Sequence, residues 1–233
     1  MYEPHPPSQV LPPSDDEGVA APKYLRAQER RAATIEAVLQ LAACTHPSEL
    51  STTRIAQHMG VTQGALFKHF PSKEALLEAT MAWVAQQLLA RIEQAAQEPL
   101  ARGDCLAALQ AVFLAHIGFA AEHPGVPRIL FGELQRSESS ASRQVVQNLL
   151  GQYGQRLQQW LAQGQAQGQV APGTDLAAAS ALLVGMVQGL VMQSVLAGNA
   201  QLLRTQAPAV FALYRRAIAA SPALPCPPDG EPT

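Results

Sequence analysis

The chain has 233 residues, 48% of them hydrophobic, 15% charged and 5% aromatic, with a formal net charge of −2. That length and apolar content are enough to bury a core and exclude an intrinsically disordered chain. The small net charge excludes a global attraction for polyanions, and the abundance of Ala, Leu and Gln over β-branched and aromatic residues favours helix over sheet.

Charge is distributed unevenly along the chain. A Pro-rich acidic tail is expected over residues 1–23, where Glu3, Asp15, Asp16 and Glu17 precede the first basic residue, Lys23. Residues 23–73 then set Lys23, Arg26, Arg30, Arg31, Arg54, Lys68 and Lys73 against Glu29, Glu36 and Glu49, a compact module of charge +4. Ile35, Leu39 and Ala42 predict a first helix over about 25–44. Two very short helices follow near 52–59 and 63–69. Ser72 reads as an N-cap, with Glu74 in the first turn. Leu77, Met81, Val84, Leu88 and Ile92 then form one apolar stripe at spacings of three and four. Asp104 is suited to cap the next helix, striped by Leu109, Phe113, Ile117 and Ala120 and ended by Pro124. Helices near 126–136 and 141–164 follow; the Gln-rich run 152–169 reads as a neutral solvated helix fraying at its glycines. After a break at 171–174, helices near 175–197 and 205–220 complete the body. A second Pro-rich tail covers 221–233. No segment alternates with period two, so the expected fold class is all-α: an N-terminal three-helix helix-turn-helix domain (24–88) and a larger C-terminal helical bundle (89–220), about nine helices in all.

The short pair carries the chemistry. Ser51 can cap a helix whose inward residues are Ile55, Ala56 and Met59, and Gly60 sits where a helix ends in the left-handed conformation that glycine adopts freely. Val61 plugs the corner, and Thr62 caps a second helix with Ala65, Leu66 and Phe70 inward. That is a helix-turn-helix, spanning about 51–70. Its second helix faces outward with Gln63, Gly64, Phe67 and Lys68, and such a helix fits the B-DNA major groove. Gln63 can pair with adenine through two hydrogen bonds, while Gly64 lets the backbone approach. Thr52, Thr53, Arg54, Thr62, His69 and Lys73 ring it with donors suited to phosphates. The alternative is a helical hairpin with a solvated basic face.

The run GVTQGALFKHFPSKEALL (60–77), with the preceding helix 26–44 and the TTRIA segment, resembles the N-terminal domain of the TetR/AcrR family of transcriptional regulators. HPGVPRILFGEL (123–134) and the run 168–190 look more loosely like that family's C-terminal domain. The resemblance implies groove-facing roles for Thr62, Gln63, Gly64 and Lys68, and phosphate contacts for Thr52, Thr53, His69 and Lys73. Phe67 stands where the family commonly has tyrosine, which keeps packing but loses a hydroxyl. It also implies a homodimer on a pseudo-palindromic operator in double-stranded DNA, a small-molecule effector bound in the C-terminal bundle, and a cytoplasmic, nucleoid-associated location. A repressor released by its effector is the main reading; a DNA-bound protein acting through a protein partner is the alternative.

The helix near 175–197 is apolar nearly all round, so it must be covered on several sides. Leu182, Gly185, Gly189 and Met192 are the expected dimer interface, to which the family resemblance adds Val210, Phe211, Leu213 and Tyr214 of the last helix; the alternative is a central helix in a monomeric bundle. Trp83, Phe113, His116, Phe119, Phe131, Trp160 and Met186 are the large side chains available to line an effector pocket, and few charges interrupt these helices, so the effector is expected to be apolar or weakly polar. The uncharged stretch Leu176–Leu203 is interrupted by Gln188, Gln193, Ser194 and Asn199 and is expected to be buried, not membrane-spanning. Cys44, Cys105 and Cys226 form no CxxC pair and are expected to be reduced, and the N-terminus lacks the pattern of a secretory leader. There is no HExxH, Gly-rich phosphate loop or nucleophile elbow, and His116 and His123 do not form a metal-binding pair, so no catalytic residue, metal or cofactor is expected.

Overall fold

The computed structural model describes residues 23–45, 49–134 and 140–220. The two Pro-rich tails expected from the sequence, and Cys226, lie outside the described residues, as do the side chains of Lys23 and Arg26. Within them the chain forms nine helices in the order α1 Lys23–Cys44, α2 Thr52–His58, α3 Gln63–Phe67, α4 Lys73–Ala101, α5 Cys105–Glu122, α6 Gly125–Leu134, α7 Ala141–Ala166, α8 Leu176–Ala197 and α9 Gln201–Ile218.

The helices begin where side-chain caps satisfy their first amides. The oxygens of Ser51, Thr62, Ser72, Asp104, Ser140 and Asp175 each accept from a backbone N–H two or three residues on. α9 starts at Gln201, earlier than the expected 205, because the Asn199 side chain accepts from the Gln201 amide at 3.0 Å. α8 ends at Gly198, whose φ of +62° is the left-handed cap that glycine supplies without strain.

α1, α2 and α3 pack around Ile35, Val38, Ile55, Leu66 and Phe70. α4, 29 residues and thus about 43 Å long, begins beside this unit and continues into the bundle. Its stripe of Leu77, Met81, Val84, Leu88 and Ile92 is buried there, against α5 and α7. α5, with Leu109, Val112, Phe113 and Ile117 all buried, is the central helix of the bundle. The bidentate Arg91–Glu122 pair, with Arg204 3.7 Å from the same carboxylate, ties α4, α5 and α9 together at the surface.

Two expectations are corrected. α7 does not fray at its glycines. Gly164 is buried against Val170 and Cys105, where a Cβ would come within 2.9 Å of Val170 Cγ2. The glutamines that follow are specific connectors. Gln169 Oε1 accepts from the Cys105 amide at 2.8 Å and its Nε2 donates to the Gly103 carbonyl, while Gln165 Nε2 donates to the carbonyls of Ala171 and Pro172. The second correction concerns α9: Phe211 and Tyr214, assigned to the dimer interface, face their own protomer, at 1% and 2% exposure. The Phe211 ring packs tilted against that of Phe113 at 5.5 Å, and the Tyr214 hydroxyl donates to the Ala179 carbonyl of α8 at 3.0 Å.

Candidate nucleic-acid interface and buried cavity

The helix-turn-helix is built from short local devices. Ser51 Oγ accepts from the Arg54 amide and Thr62 Oγ1 from the Ala65 amide, both at 3.2 Å. Between the caps, Gly60 turns the chain at φ +66°, and the Val61 amide closes onto the Ala56 carbonyl at 3.0 Å. Val61 does not plug the corner; it stands 41% exposed, while Leu66 and Phe70 are buried. Thr62, Gln63, Gly64, Phe67 and Lys68 all reach the surface of α3, and no other atom lies within 4 Å of where a Gly64 Cβ would sit. Thr53 and Arg54 on α2 are exposed, His69 and Lys73 half-buried. Arg54 is paired with Glu49 at 2.6 Å, an exposed contact that leaves the guanidinium accessible. Thr52 Oγ1 accepts from Gln63 Nε2 at 2.8 Å, so its hydroxyl holds the side chain that would read a base. Arg31, one of the cations of the basic module, has a structural role here. It donates to the His69 carbonyl at 2.6 Å and lies 4.4 Å over the Phe70 ring, a cation–π contact that fixes α1 against the end of α3.

A cavity of about 380 Å³ opens in the bundle between α4, α5, α6, α7 and α8. Of the seven pocket residues expected from the sequence, His116, Phe119 and Phe131 line it. Phe113 is fully buried behind it, Trp83 meets His123 edge-on at 5.5 Å, and Trp160 and Met186 pack elsewhere on the core. Sequence reasoning missed Tyr153, which lines the cavity with no exposure and lies with its ring 5.5 Å from that of His116. Its position four residues from both Leu149 and Leu157 places it on the buried stripe of α7, a signal masked by the surrounding glutamines. Burial pushes the His116 imidazole down to about 4, so it is neutral at physiological pH, and burial raises the Tyr153 phenol above its usual range.

Residues 35–80 match the family model of bacterial regulatory proteins, tetR family, and residues 135–210 match that of the tetracyclin repressor-like C-terminal domain. The chain belongs to the TetR family. Among curated relatives, nucleoid occlusion factor SlmA of Alteromonas mediterranea is 28% identical over 158 residues, covering 68% of this chain and 77% of that protein. SlmA of Marinomonas sp. is 23% identical over 167 residues, covering 72% and 83%. A tetR family transcription regulator from Shewanella sp. PV-4 is 26% identical with a TM-score of 0.60, covering 82% of this chain and 99% of that one. The regulator FadR of Bacillus subtilis, solved with stearoyl-CoA, shares the fold at a TM-score of 0.68 and 22% identity, covering 78% and 96%.

This TetR-family chain is a DNA-binding regulator. The outer face of α8 and α9 is an unsatisfied surface. Leu182 (52% exposed), Leu196 (80%) and Leu213 (60%) stand in solvent, and α8 is apolar enough to meet the length and composition of a membrane span with only 33% of its apolar window buried. Gly185 and Gly189 lie on this side, and a Cβ at either would have no neighbouring atom within 4 Å. Met192 shares this face and also lines the cavity, and Val210 is half-buried. Among the described residues no group of three His, Cys, Asp or Glu side chains is arranged to hold a metal ion.

Proposed function

We propose that the chain is a homodimeric repressor that holds a pseudo-palindromic operator through α3 of each subunit and is released by a small molecule entering the bundle cavity. The dimer would join through α8 and α9, burying Leu182, Gly185, Gly189, Leu196 and Leu213, and its two recognition helices would meet successive turns of the groove about 34–36 Å apart. One observation carries the reading: α6 is shared. Val126, Pro127, Leu130 and Phe131 wall the cavity, and the same helix packs on α1 so closely that Gly125 leaves no room for a side chain, a Cβ there lying 2.1 Å from the Leu39 carbonyl oxygen. An occupant that displaces α6 therefore displaces the helix that supports α3. Such a regulator works in the cytoplasm at the nucleoid.

A selection from randomised duplexes at low ionic strength tests the first half and should return a pseudo-palindrome; no preference for any duplex would overturn the reading. A thermal-shift screen tests the second half and should find a molecule that also weakens operator binding. The SlmA relatives favour the other reading, a DNA-bound protein acting on a protein partner. It gains if no molecule shifts the protein and a partner co-purifies only with DNA present.

A further inference from the structure

Three buried hydroxyls in this bundle are paired. Thr80 donates to the Leu76 carbonyl, Ser194 to that of Val191, and Tyr214 to that of Ala179. The cavity wall departs from this pattern at one place. The Tyr153 hydroxyl and His116 Nδ1 are both buried with no hydrogen-bond partner, on neighbouring rings that line the same void. Unpaired buried polar atoms are rare in native proteins because each carries an uncompensated desolvation cost. Two side by side on one cavity wall are suited to the polar group of a ligand. The rest of the described wall is aliphatic and aromatic carbon, apart from Gln188 at the exposed rim, and includes no Lys, Arg, Asp or Glu.

We propose that this cavity takes an uncharged, mainly apolar molecule carrying one hydroxyl or carbonyl group, with that oxygen seated on Tyr153 and His116. A phenol donates or accepts, and a neutral imidazole nitrogen does either according to tautomer, so the pair serves a hydroxyl or a carbonyl equally. A carboxylate, phosphate or ammonium would enter without a counter-charge, a far larger desolvation cost than that of a neutral oxygen. The inference rests on the effector reading above and specifies the chemistry of that site.

Calorimetric titration of the full chain near neutral pH with 1-decanol, 2-decanone, decanoate and decylammonium tests it, since these share a chain and differ in head group. The alcohol and ketone should bind and the two ions should not. Tyr153→Phe should weaken the alcohol about tenfold. The ligand-free variant should keep or raise its melting temperature, since it loses only an unpaired hydroxyl; His116→Phe serves as the second variant. Equal or tighter binding of either ion, or unchanged alcohol affinity in both variants, overturns the proposal. If no member binds while the thermal-shift screen finds a charged effector, this inference falls and the effector reading stands; if the screen also finds nothing while duplex selection succeeds, both fall.

Discussion

At the scale of single residues, the proposed reading and positioning of DNA divide between different side chains. Gln63 is presented at the start of α3 with its amide already tethered to Thr52. Gln63→Ala should change base preference, an effect of about 1–3 kcal/mol at the contacted pair, and leave the salt dependence of binding nearly intact. Thr52→Val should blunt the same preference by freeing the amide, with non-specific affinity retained. Lys73→Ala should do the reverse, flattening the slope of log affinity against log salt by about one unit without altering which sequence is chosen. Competition binding against a panel of duplexes at several salt concentrations separates these outcomes. His116 supplies a different test. A base whose folded pKa is depressed contributes fully above its unfolded value of 6.5 and destabilises progressively as pH falls toward about 4. Acidification through that window should therefore remove up to about 3 kcal/mol of stability, at about 1.4 kcal/mol per unit. Urea midpoints measured across it should flatten in His116→Phe.

At the scale of helices, Gly125 and the α8 glycines do opposite jobs. Gly125→Ala drives a methyl into a backbone carbonyl of α1, so α6 must back away; a loss of about 1–3 kcal/mol in thermal unfolding is expected. Bulky residues at Gly185 and Gly189 meet nothing within the protomer, so Gly185→Leu with Gly189→Leu should leave the monomer folded and abolish the dimer in sedimentation. The helices were legible in the sequence because caps and stripes are local: Ser51, Gly60, Thr62, Ser72 and Asp104 act within three residues of themselves. Which side of α9 lies inside was signalled but missed: Leu203, Ala207, Phe211, Tyr214 and Ile218 recur at spacings of three and four and are buried, which leaves Leu213 outside. Tyr153 was hidden because a polar neighbourhood in sequence says nothing about a stripe that tertiary contact buries.

At the scale of the whole molecule, the recognition unit was read almost entirely from one contiguous stretch, whereas the cavity draws on five helices spread from Met81 to Met192. Pocket residues chosen for size alone therefore divided, with Phe119 and Phe131 on the wall and Phe113 and Trp160 in or on the core behind it. A site assembled from distant segments has no compact sequence signature. The shared helix α6 carries one more consequence, which concerns energy in place of geometry. Two guests that bias the same element are thermodynamically linked, and the linkage runs equally in both directions. By whatever factor an occupant of the bundle loosens the grip on the double helix, the double helix must loosen the grip on that occupant. Subunits wandering free in the cell would thus take up the signal more readily than those already at their post, and a genome rich in weak sites would act as a silent antagonist of it.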